Sequence, residues 1–128
     1  MTAATMPVLI VDDYKTMRTI IRNLLTQIGF SNLAEADDGA SALAKLREGA
    51  FGLVISDWNM TPMSGLELLK QVRAEARLKA IPFIMVTAES KPENVAAAKE
   101  AGVSNYIVKP FTAETLSKKL EAVLGPLK

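Results

Sequence analysis

The chain has 128 residues, a length typical of one domain with a sizeable hydrophobic core. It contains no Cys and no His, which excludes disulfides, thiolate chemistry, phosphorylation on His and the commonest transition-metal ligand. Its 15 basic and 14 acidic residues are scattered, so we expect no nucleic-acid partner. The apolar runs are far shorter than the ~20 residues of a membrane span, and the N-terminus lacks a signal-peptide pattern. We therefore expect one domain over residues 1–128, located in the cytoplasm and not bound to a membrane.

Short apolar runs alternate with segments of helical periodicity along the sequence. The predicted elements, in chain order, are a strand at 7–11, a helix at 14–28, a strand at 32–36, a helix at 38–48, a strand at 51–57, a helix at 65–76, a strand at 82–86, a helix at 91–101, a strand at 105–108 and a helix at 112–124. Gly29, Gly49 and Gly102 are expected to end helices, and Thr112 is expected to cap the last one. The apolar stripes predicted to face the core are Met17, Ile20, Ile21, Leu24, Leu25 and Ile28 in the first helix, Ala42, Leu43 and Leu46 in the second, and Leu66, Leu69 and Val72 in the third.

Strict alternation of strands and helices predicts an α/β fold. The strands would form a parallel sheet with helices on both faces, connected by right-handed crossovers. The runs at 7–11, 51–57, 82–86 and 106–108 are apolar on both faces, which is typical of strands buried in such a sheet, whereas the strand at 32–36 is short and weaker. In open parallel sheets ligands bind at the carboxyl ends of the strands. We therefore expect functional residues at the carboxyl edge of the sheet.

Five polar residues lie at the ends of four predicted strands. They are Asp12, Asp13, Asp57, Thr87 and Lys109. Each has an ordinary alternative role, as a helix cap, a first-turn acid, a loop cap, a satisfied hydroxyl or a surface charge. Their coincidence at the same edge of one sheet favours a single assembled polar site.

The chemistry of these five side chains points to phosphoryl transfer. Two carboxylates ~4 Å apart repel by about 4 kcal/mol at an effective dielectric constant of about 20, so the acidic residues call for a cation. Only oxygen ligands are on offer, which indicates a hard ion such as Mg²⁺. Lys109 and Thr87 supply a positive charge and a hydroxyl donor for phosphoryl oxygens, and Asp57 could act as a nucleophile that forms an aspartyl phosphate.

Motifs along nearly the whole chain resemble the receiver domains of two-component signalling, and more narrowly the single-domain response regulators of chemotaxis. The matching segments are VDD at 11–13, YKTMRTIIRNLL at 14–25, ADDGASAL at 36–43, VISDWNM at 54–60, GLELLK at 65–70, MVTAE at 85–89 and YIVKPFTAETL at 106–116. The resemblance implies a flavodoxin-like, doubly wound fold with five strands in the order 2-1-3-4-5 and five helices.

The resemblance also implies roles for individual residues. Asp57 would accept the phosphoryl group from a phosphohistidine of a histidine kinase. Asp12, Asp13, Asp57 and the backbone carbonyl of Asn59 would hold Mg²⁺.

Further roles concern the phosphoryl group and the response to it. Thr87 and Lys109 would bind the phosphoryl oxygens, and Thr87 would move together with Tyr106 on phosphorylation. Asn59 and Glu89 occupy positions that tune hydrolysis of the acyl phosphate in the family.

One segment departs from the family pattern. After the acceptor loop the family usually has Pro, a variable residue, a hydrophobic residue, Asp or Asn, and Gly, whereas this chain reads TPMSG at 61–65. Pro62 lies one position later than usual, and Ser64 stands where an acid or amide is usual. We expect this departure to affect the loop beside Asp57. The resemblance further implies a cis peptide bond between Lys109 and Pro110.

The resemblance implies a monomeric signalling protein and not an enzyme with a turnover substrate. A histidine kinase would be the phosphodonor. The output would be a contact with another protein, since no effector domain follows the final helix, and a flagellar motor switch protein would be the target. A phosphate sink that drains the kinase stays open as an alternative, as does a phosphatase partner. From other classes, a haloacid-dehalogenase phosphatase needs an Asp two residues after its nucleophile, and a flavodoxin-like electron carrier needs hydroxyls and glycines where Asp12 and Asp13 lie.

Overall fold

A computed structural model describes residues 5–61, 63–88, 91–109 and 111–125. The predictions for Pro62, Glu89 and the Lys109–Pro110 peptide bond therefore fall outside the described residues. The strands are β1 (Val8–Val11), β2 (Leu33–Ala36), β3 (Leu53–Asp57), β4 (Phe83–Thr87) and β5 (Asn105–Val108). The helices are α1 (Lys15–Ile28), α2 (Gly39–Glu48), α3 (Gly65–Ala74), α4 (Pro92–Glu100) and α5 (Ala113–Leu124). Within these ranges no helix has the length and apolar character needed to cross a membrane.

The five strands form one sheet in the order β2-β1-β3-β4-β5, and every neighbouring pair is parallel. This confirms the predicted doubly wound α/β fold and its strand order. In the pairing of β1 with β3, Val11 lies opposite Ser56, and in the pairing of β3 with β4, Asp57 lies opposite Val86. The register therefore brings the carboxyl ends of β1, β3 and β4 to the same edge of the sheet.

Two hydrophobic cores flank the sheet because successive side chains of a strand point to opposite faces. One core packs alternate residues of β1 and β3 under α2 and α3, and its fully buried members include Leu9, Val11, Val54, Leu46, Leu69 and Val72. The other packs the intervening strand residues under α1 and α5, and includes Val8, Ile10, Ile55, Ile21, Leu25, Leu116 and Leu120. The strands lie between these layers, which fixes the position of their ends.

Three predictions about the helices need correction. Ile20 is 44% exposed, because the buried face of α1 is centred on Ile21 and Leu25. In α3 the buried positions are Gly65, Leu68, Leu69 and Val72, so Leu68 takes the inward place predicted for Leu66. The spacing of these four residues is the i, i+3, i+4, i+7 pattern of a single helix face.

The third correction concerns the end of α3, which stops at Ala74 and not at residue 76. Glu75 has extended backbone angles there, and its carboxylate pairs with Arg47 of α2. At other helix ends the predictions hold. Gly29 ends α1 with a φ of 122°, and the Thr112 side chain accepts a hydrogen bond from the Thr115 amide at the start of α5.

Candidate functional site

Three carboxylates meet at the carboxyl edge of the sheet. Asp12 follows β1 and Asp57 is the last residue of β3, and because these strands are neighbours in register the two residues lie side by side. Carboxylate oxygens of Asp12, Asp13 and Asp57 all lie within 4.8 Å of one another. Asp12 and Asp57 are buried and Asp13 is exposed. The structure thus brings together the acidic residues that the sequence placed at two strand ends.

Lys109 brings a positive charge to the buried pair. Its Nζ donates a hydrogen bond to Oδ1 of Asp57 at 3.0 Å and lies 3.9 Å from Oδ2 of Asp12. Its backbone amide donates to the carbonyl of Thr87 at 2.8 Å, which holds the residue after β5 against the end of β4. One ammonium group therefore serves two buried carboxylates.

Asp12 has an unusual environment for an acid. It is 1% exposed, its Oδ1 accepts a hydrogen bond from the Tyr14 amide at 2.9 Å, and its Oδ2 has no hydrogen-bond partner among the described residues. Burial raises the pKa of Asp12 from 3.8 to about 6. The Tyr14 amide opposes this rise and Asp57 adds to it, and among the smaller contributions Lys109 lowers the pKa and Asp13 raises it. The Asp12 carboxylate is therefore buried without a hydrogen bond from a positively charged side chain among the described residues.

These donors fit a hard divalent cation. An unpaired, buried carboxylate oxygen is costly unless it is neutralised, protonated or bound to a cation. Asp13 is exposed and so leaves one side of the cluster accessible to water. All ligand atoms are oxygens and the site is open on one side, which matches the preference of Mg²⁺ for a few carboxylates together with several waters.

Asp12 and Asp13 do not cap α1, which was their ordinary alternative role. The N-cap residue of α1 is Tyr14, whose side chain makes no capping hydrogen bond. The Asp12 carboxylate instead bonds the amide of Tyr14, two residues on, and turns toward the site.

The segment after Asp57 is held tightly against the sheet and α3. The amide of Trp58 donates to the Val86 carbonyl at 3.0 Å, and the Trp58 carbonyl accepts from the Gly65 amide at 2.8 Å. A Cβ added at Gly65 would overlap the carbonyl oxygen of Asp57 and come within 2.9 Å of Met85 Sδ. Gly65 therefore allows the start of α3 to pack directly on the backbone of Asp57.

The departure at Ser64 has a local structural consequence. Ser64 Oγ accepts a hydrogen bond from the Glu67 amide at 3.1 Å, and the Glu67 carboxylate accepts from the Ser64 amide at 3.4 Å. This reciprocal pair is a capping box, whose sequence signal is Ser followed three residues later by Glu. Ser64 thus gives α3 a well-defined start directly after the loop that follows Asp57.

Of the other predicted site residues, Thr87, Asn59 and Tyr106 lie in the described part of the chain. Thr87 is fully buried as the last residue of β4, and Asn59 is exposed in the loop after Asp57. Tyr106 on β5 is partly buried, and its ring meets that of Trp58 edge to face, with centroids 6.3 Å apart and an interplanar angle of 77°. Trp58, the residue after Asp57, therefore contacts Tyr106, the residue predicted to switch.

Arg18 on α1 is a neighbour of the site that sequence reasoning did not single out. Its Nη1 donates a hydrogen bond to the backbone carbonyl of Asp12 at 2.6 Å, and its Nε donates to Glu35 of β2 at 3.0 Å. The signal available in the sequence is the spacing of Arg18 and Arg22, which places both on one face of α1. That spacing does not indicate which residues they contact.

The chain is similar to proteins of known family. The response regulator receiver domain family matches residues 8–121. The chain belongs to this family. The chemotaxis protein CheY-3 of Vibrio cholerae is 53% identical over 122 residues, which cover 95% of this chain and 94% of that protein. The chemotaxis protein CheY of Pseudomonas aeruginosa is 53% identical over 118 residues, covering 92% of this chain and 95% of that one.

A solved structure of a receiver protein shares the fold. The chemotaxis protein CheY4 of Vibrio cholerae superposes with a TM-score of 0.88 at 40% identity, covering 94% of this chain and all of that one. Family membership confirms the resemblance drawn from the sequence motifs. It also decides against the haloacid-dehalogenase and electron-carrier alternatives.

Proposed function

We propose that the chain is a phosphorylation-controlled response regulator in which Asp57 accepts a phosphoryl group from a histidine kinase. The observation that carries the proposal is the buried Asp57 carboxylate, bonded to Lys109 through one oxygen and flanked by Asp12 and Asp13 at the edge where parallel sheets bind ligands. A carboxylate in this position is oriented by Lys109 and has its second oxygen available for attack on phosphorus.

In the proposed reaction an oxygen of Asp57 forms a bond to phosphorus as the bond from phosphorus to the kinase histidine nitrogen breaks. Lys109 and the Thr87 hydroxyl would bind the phosphoryl oxygens, since phosphoryl transfer depends mainly on positioning and electrostatic stabilisation. Asp12, Asp13, Asp57 and the backbone carbonyl of Asn59 would hold Mg²⁺, which when bound neutralises charge on the carboxylates and the phosphoryl group. Asn59 and Glu89 would tune the later hydrolysis.

We further propose that the output is a protein contact in chemotaxis, with a flagellar motor switch protein as target. Support comes from the two relatives at 53% identity, both named chemotaxis proteins and both matched over nearly their whole length. In this proposal the chain acts in the cytoplasm as a monomer with one domain over residues 1–128. A phosphate sink would share the phosphoryl chemistry and lack the motor contact.

The proposed output surface is formed by α4, β5 and α5, with Tyr106 as its moving part. Binding of phosphoryl oxygens by Thr87 would draw the end of β4 toward the site and make room for the Tyr106 ring. This is a shift between two existing arrangements, and its size is limited by the difference in phosphoryl affinity between them. Lys91, Lys118 and Lys119 lie on the flanking helices or at their ends and would supply charge to a partner.

Labelling from acetyl phosphate or from phosphorylated kinase tests the acceptor. Asp57→Asn should lose the label entirely, because the amide is not a nucleophile for phosphorus. Asp37→Asn is the matched control, since Asp37 also follows a strand at this edge but lies outside the carboxylate cluster. Stoichiometric label on Asp57→Asn would contradict the assignment.

Capture of the motor switch protein with and without beryllofluoride tests the output. We expect phosphoryl-mimic-dependent binding in wild type and a much smaller enhancement in Thr87→Ala. Equal enhancement in both proteins would show that Thr87 does not transmit the signal. No binding under either condition, with normal labelling of Asp57, would favour the phosphate sink.

A further inference from the structure

Arg18 holds the backbone at the point where β1 ends and the acidic residues begin. Its Nη1 donates to the Asp12 carbonyl at 2.6 Å, a short hydrogen bond from a charged donor. The Arg18 side chain is only 15% exposed, so this bond is largely protected from water. The peptide unit that it fixes joins Asp12 to Asp13.

Glu35 on β2 fixes the Arg18 guanidinium in turn. One carboxylate oxygen accepts from Arg18 Nε at 3.0 Å and the other accepts from Arg22 Nε at 2.7 Å. Burial alone would raise the pKa of Glu35, but the hydrogen bonds from Arg22 and Arg18 outweigh it and hold the pKa below its usual value. Glu35 is therefore charged at neutral pH and anchors both arginines to β2.

Arg18 and Arg22 both pair with Glu35 but donate hydrogen bonds to different backbone carbonyls. Arg22 Nη2 donates to the carbonyl of Leu33 at 3.3 Å, at the start of β2. Arg18 alone of the two reaches the Asp12 carbonyl. The two residues share a helix, a charge and a partner, and differ in their contact with the carboxylate cluster.

We propose that Arg18 is a positioning residue for the metal site, which orients the Asp12–Asp13 peptide so that both carboxylates face Asp57. Glu35 locks Arg18 in the required rotamer. This inference rests on the proposed function in one respect, namely that the carboxylate cluster binds Mg²⁺.

The charge of Arg18 and its positioning role predict opposite changes in the affinity for a divalent cation when Arg18 is replaced. Arg18 is a cation close to the site, so by charge alone its removal would strengthen the binding of a divalent cation. If Arg18 positions the ligands, its removal weakens binding, because residues that orient metal ligands typically contribute about 10–100-fold to affinity. The direction of the change therefore separates the two effects.

Titration with Mg²⁺, followed by the fluorescence of Trp58, is the test. Trp58 is the only Trp of the chain and directly follows Asp57, so its emission reports the site without any phosphoryl transfer. We expect Arg18→Met to bind Mg²⁺ roughly tenfold more weakly than wild type, and Arg22→Met to stay within about twofold. Arg18→Lys keeps the charge and one donor and should lie between wild type and Arg18→Met.

Urea unfolding of each variant shows whether it is folded under the conditions of the titration. If Arg18→Met is not folded, the comparison is made with Arg18→Lys instead. Unchanged or tighter Mg²⁺ binding in Arg18→Met would overturn the proposal, as would equal weakening in Arg22→Met. Absence of a saturable Mg²⁺ response in wild type would overturn it together with the proposed metal site. Normal Mg²⁺ binding without label on Asp57 would instead contradict the proposed phosphoryl transfer and leave the positioning role supported.

Discussion

Replacing Asp12 by Asn should stabilise the metal-free protein although it removes a ligand of the proposed metal site. Burial is the main reason that the pKa of Asp12 rises from 3.8 to about 6. Each pKa unit corresponds to about 1.4 kcal/mol, so the charged form of Asp12 lowers the free energy of unfolding by about 3 kcal/mol at neutral pH. A buried Asn amide needs hydrogen bonds of its own, and we expect a net gain of about 1–3 kcal/mol.

The pH dependence of this gain follows from the sign of the shift. The native state binds a proton on Asp12 at a higher pH than the unfolded chain does, so wild type loses stability as pH rises from 3.8 to about 6. Asn has no such titration. The difference in stability between Asp12→Asn and wild type should therefore grow through this window and level off above it. Acids that shift in the other direction, such as Glu35, are common to both proteins and cancel in the difference.

Urea unfolding in the presence of EDTA, repeated across this pH window, measures the difference. Asp13→Asn is the matched control, because Asp13 belongs to the same cluster but is exposed and should show a much smaller gain. Adding Mg²⁺ should stabilise wild type and leave Asp12→Asn nearly unchanged, since ligands stabilise the state that binds them. A pH-independent difference, or a loss of stability in Asp12→Asn above pH 6, would refute the assignment of Asp12 as an uncompensated buried charge.

Two further predictions concern the start of α3. Ser64→Ala removes the capping box and should lower the free energy of unfolding by about 1 kcal/mol, measured by urea unfolding, and no loss would mean that the cap contributes nothing. Gly65→Ala should cost about 1–3 kcal/mol and change the Trp58 emission, because the new Cβ would overlap the Asp57 carbonyl. Gly49→Ala, at a helix end with extended backbone and no such overlap, is the control, and an equal cost in both would contradict the steric argument.

The sequence predicts the strands and the edge of the sheet at which the strand-end residues meet, because both depend on short-range patterns. Most strands are compact apolar runs, although β2 contains Glu35, and the residue that ends such a run lies at the carboxyl edge as soon as the sheet is parallel. Asp12, Asp57 and Lys109 are far apart in the chain, yet their grouping needs no further information than this topology. The order of the strands, by contrast, came from the family resemblance and not from periodicity.

Other features depend on which elements pack together, and periodicity does not encode this. Ile20 lies at the edge of an apolar stripe, and it is exposed because the face of α1 that packs on the sheet is centred on Ile21 and Leu25. The end of α3 at Ala74 coincides with an ion pair between Glu75 and Arg47, which are 28 residues apart. The contact of Arg18 with Asp12 likewise requires Glu35 on a neighbouring strand. Such pairings become visible only once the fold has placed the partners.

The unbalanced negative charge of the site destabilises the metal-free protein and also favours the proposed binding of Mg²⁺. Lys109 is shared between two buried carboxylates, so its one ammonium group does not balance the three carboxylates of the metal-free site. A phosphoryl group on Asp57 would add further negative charge in the same space. Bound Mg²⁺ would offset both, and by thermodynamic reciprocity a cation that favours the phosphorylated state would itself be bound more tightly by that state. If the side chains of the site neutralised one another fully, the metal-free protein would be more stable. Binding of the cation and phosphorylation of Asp57 would then no longer favour each other.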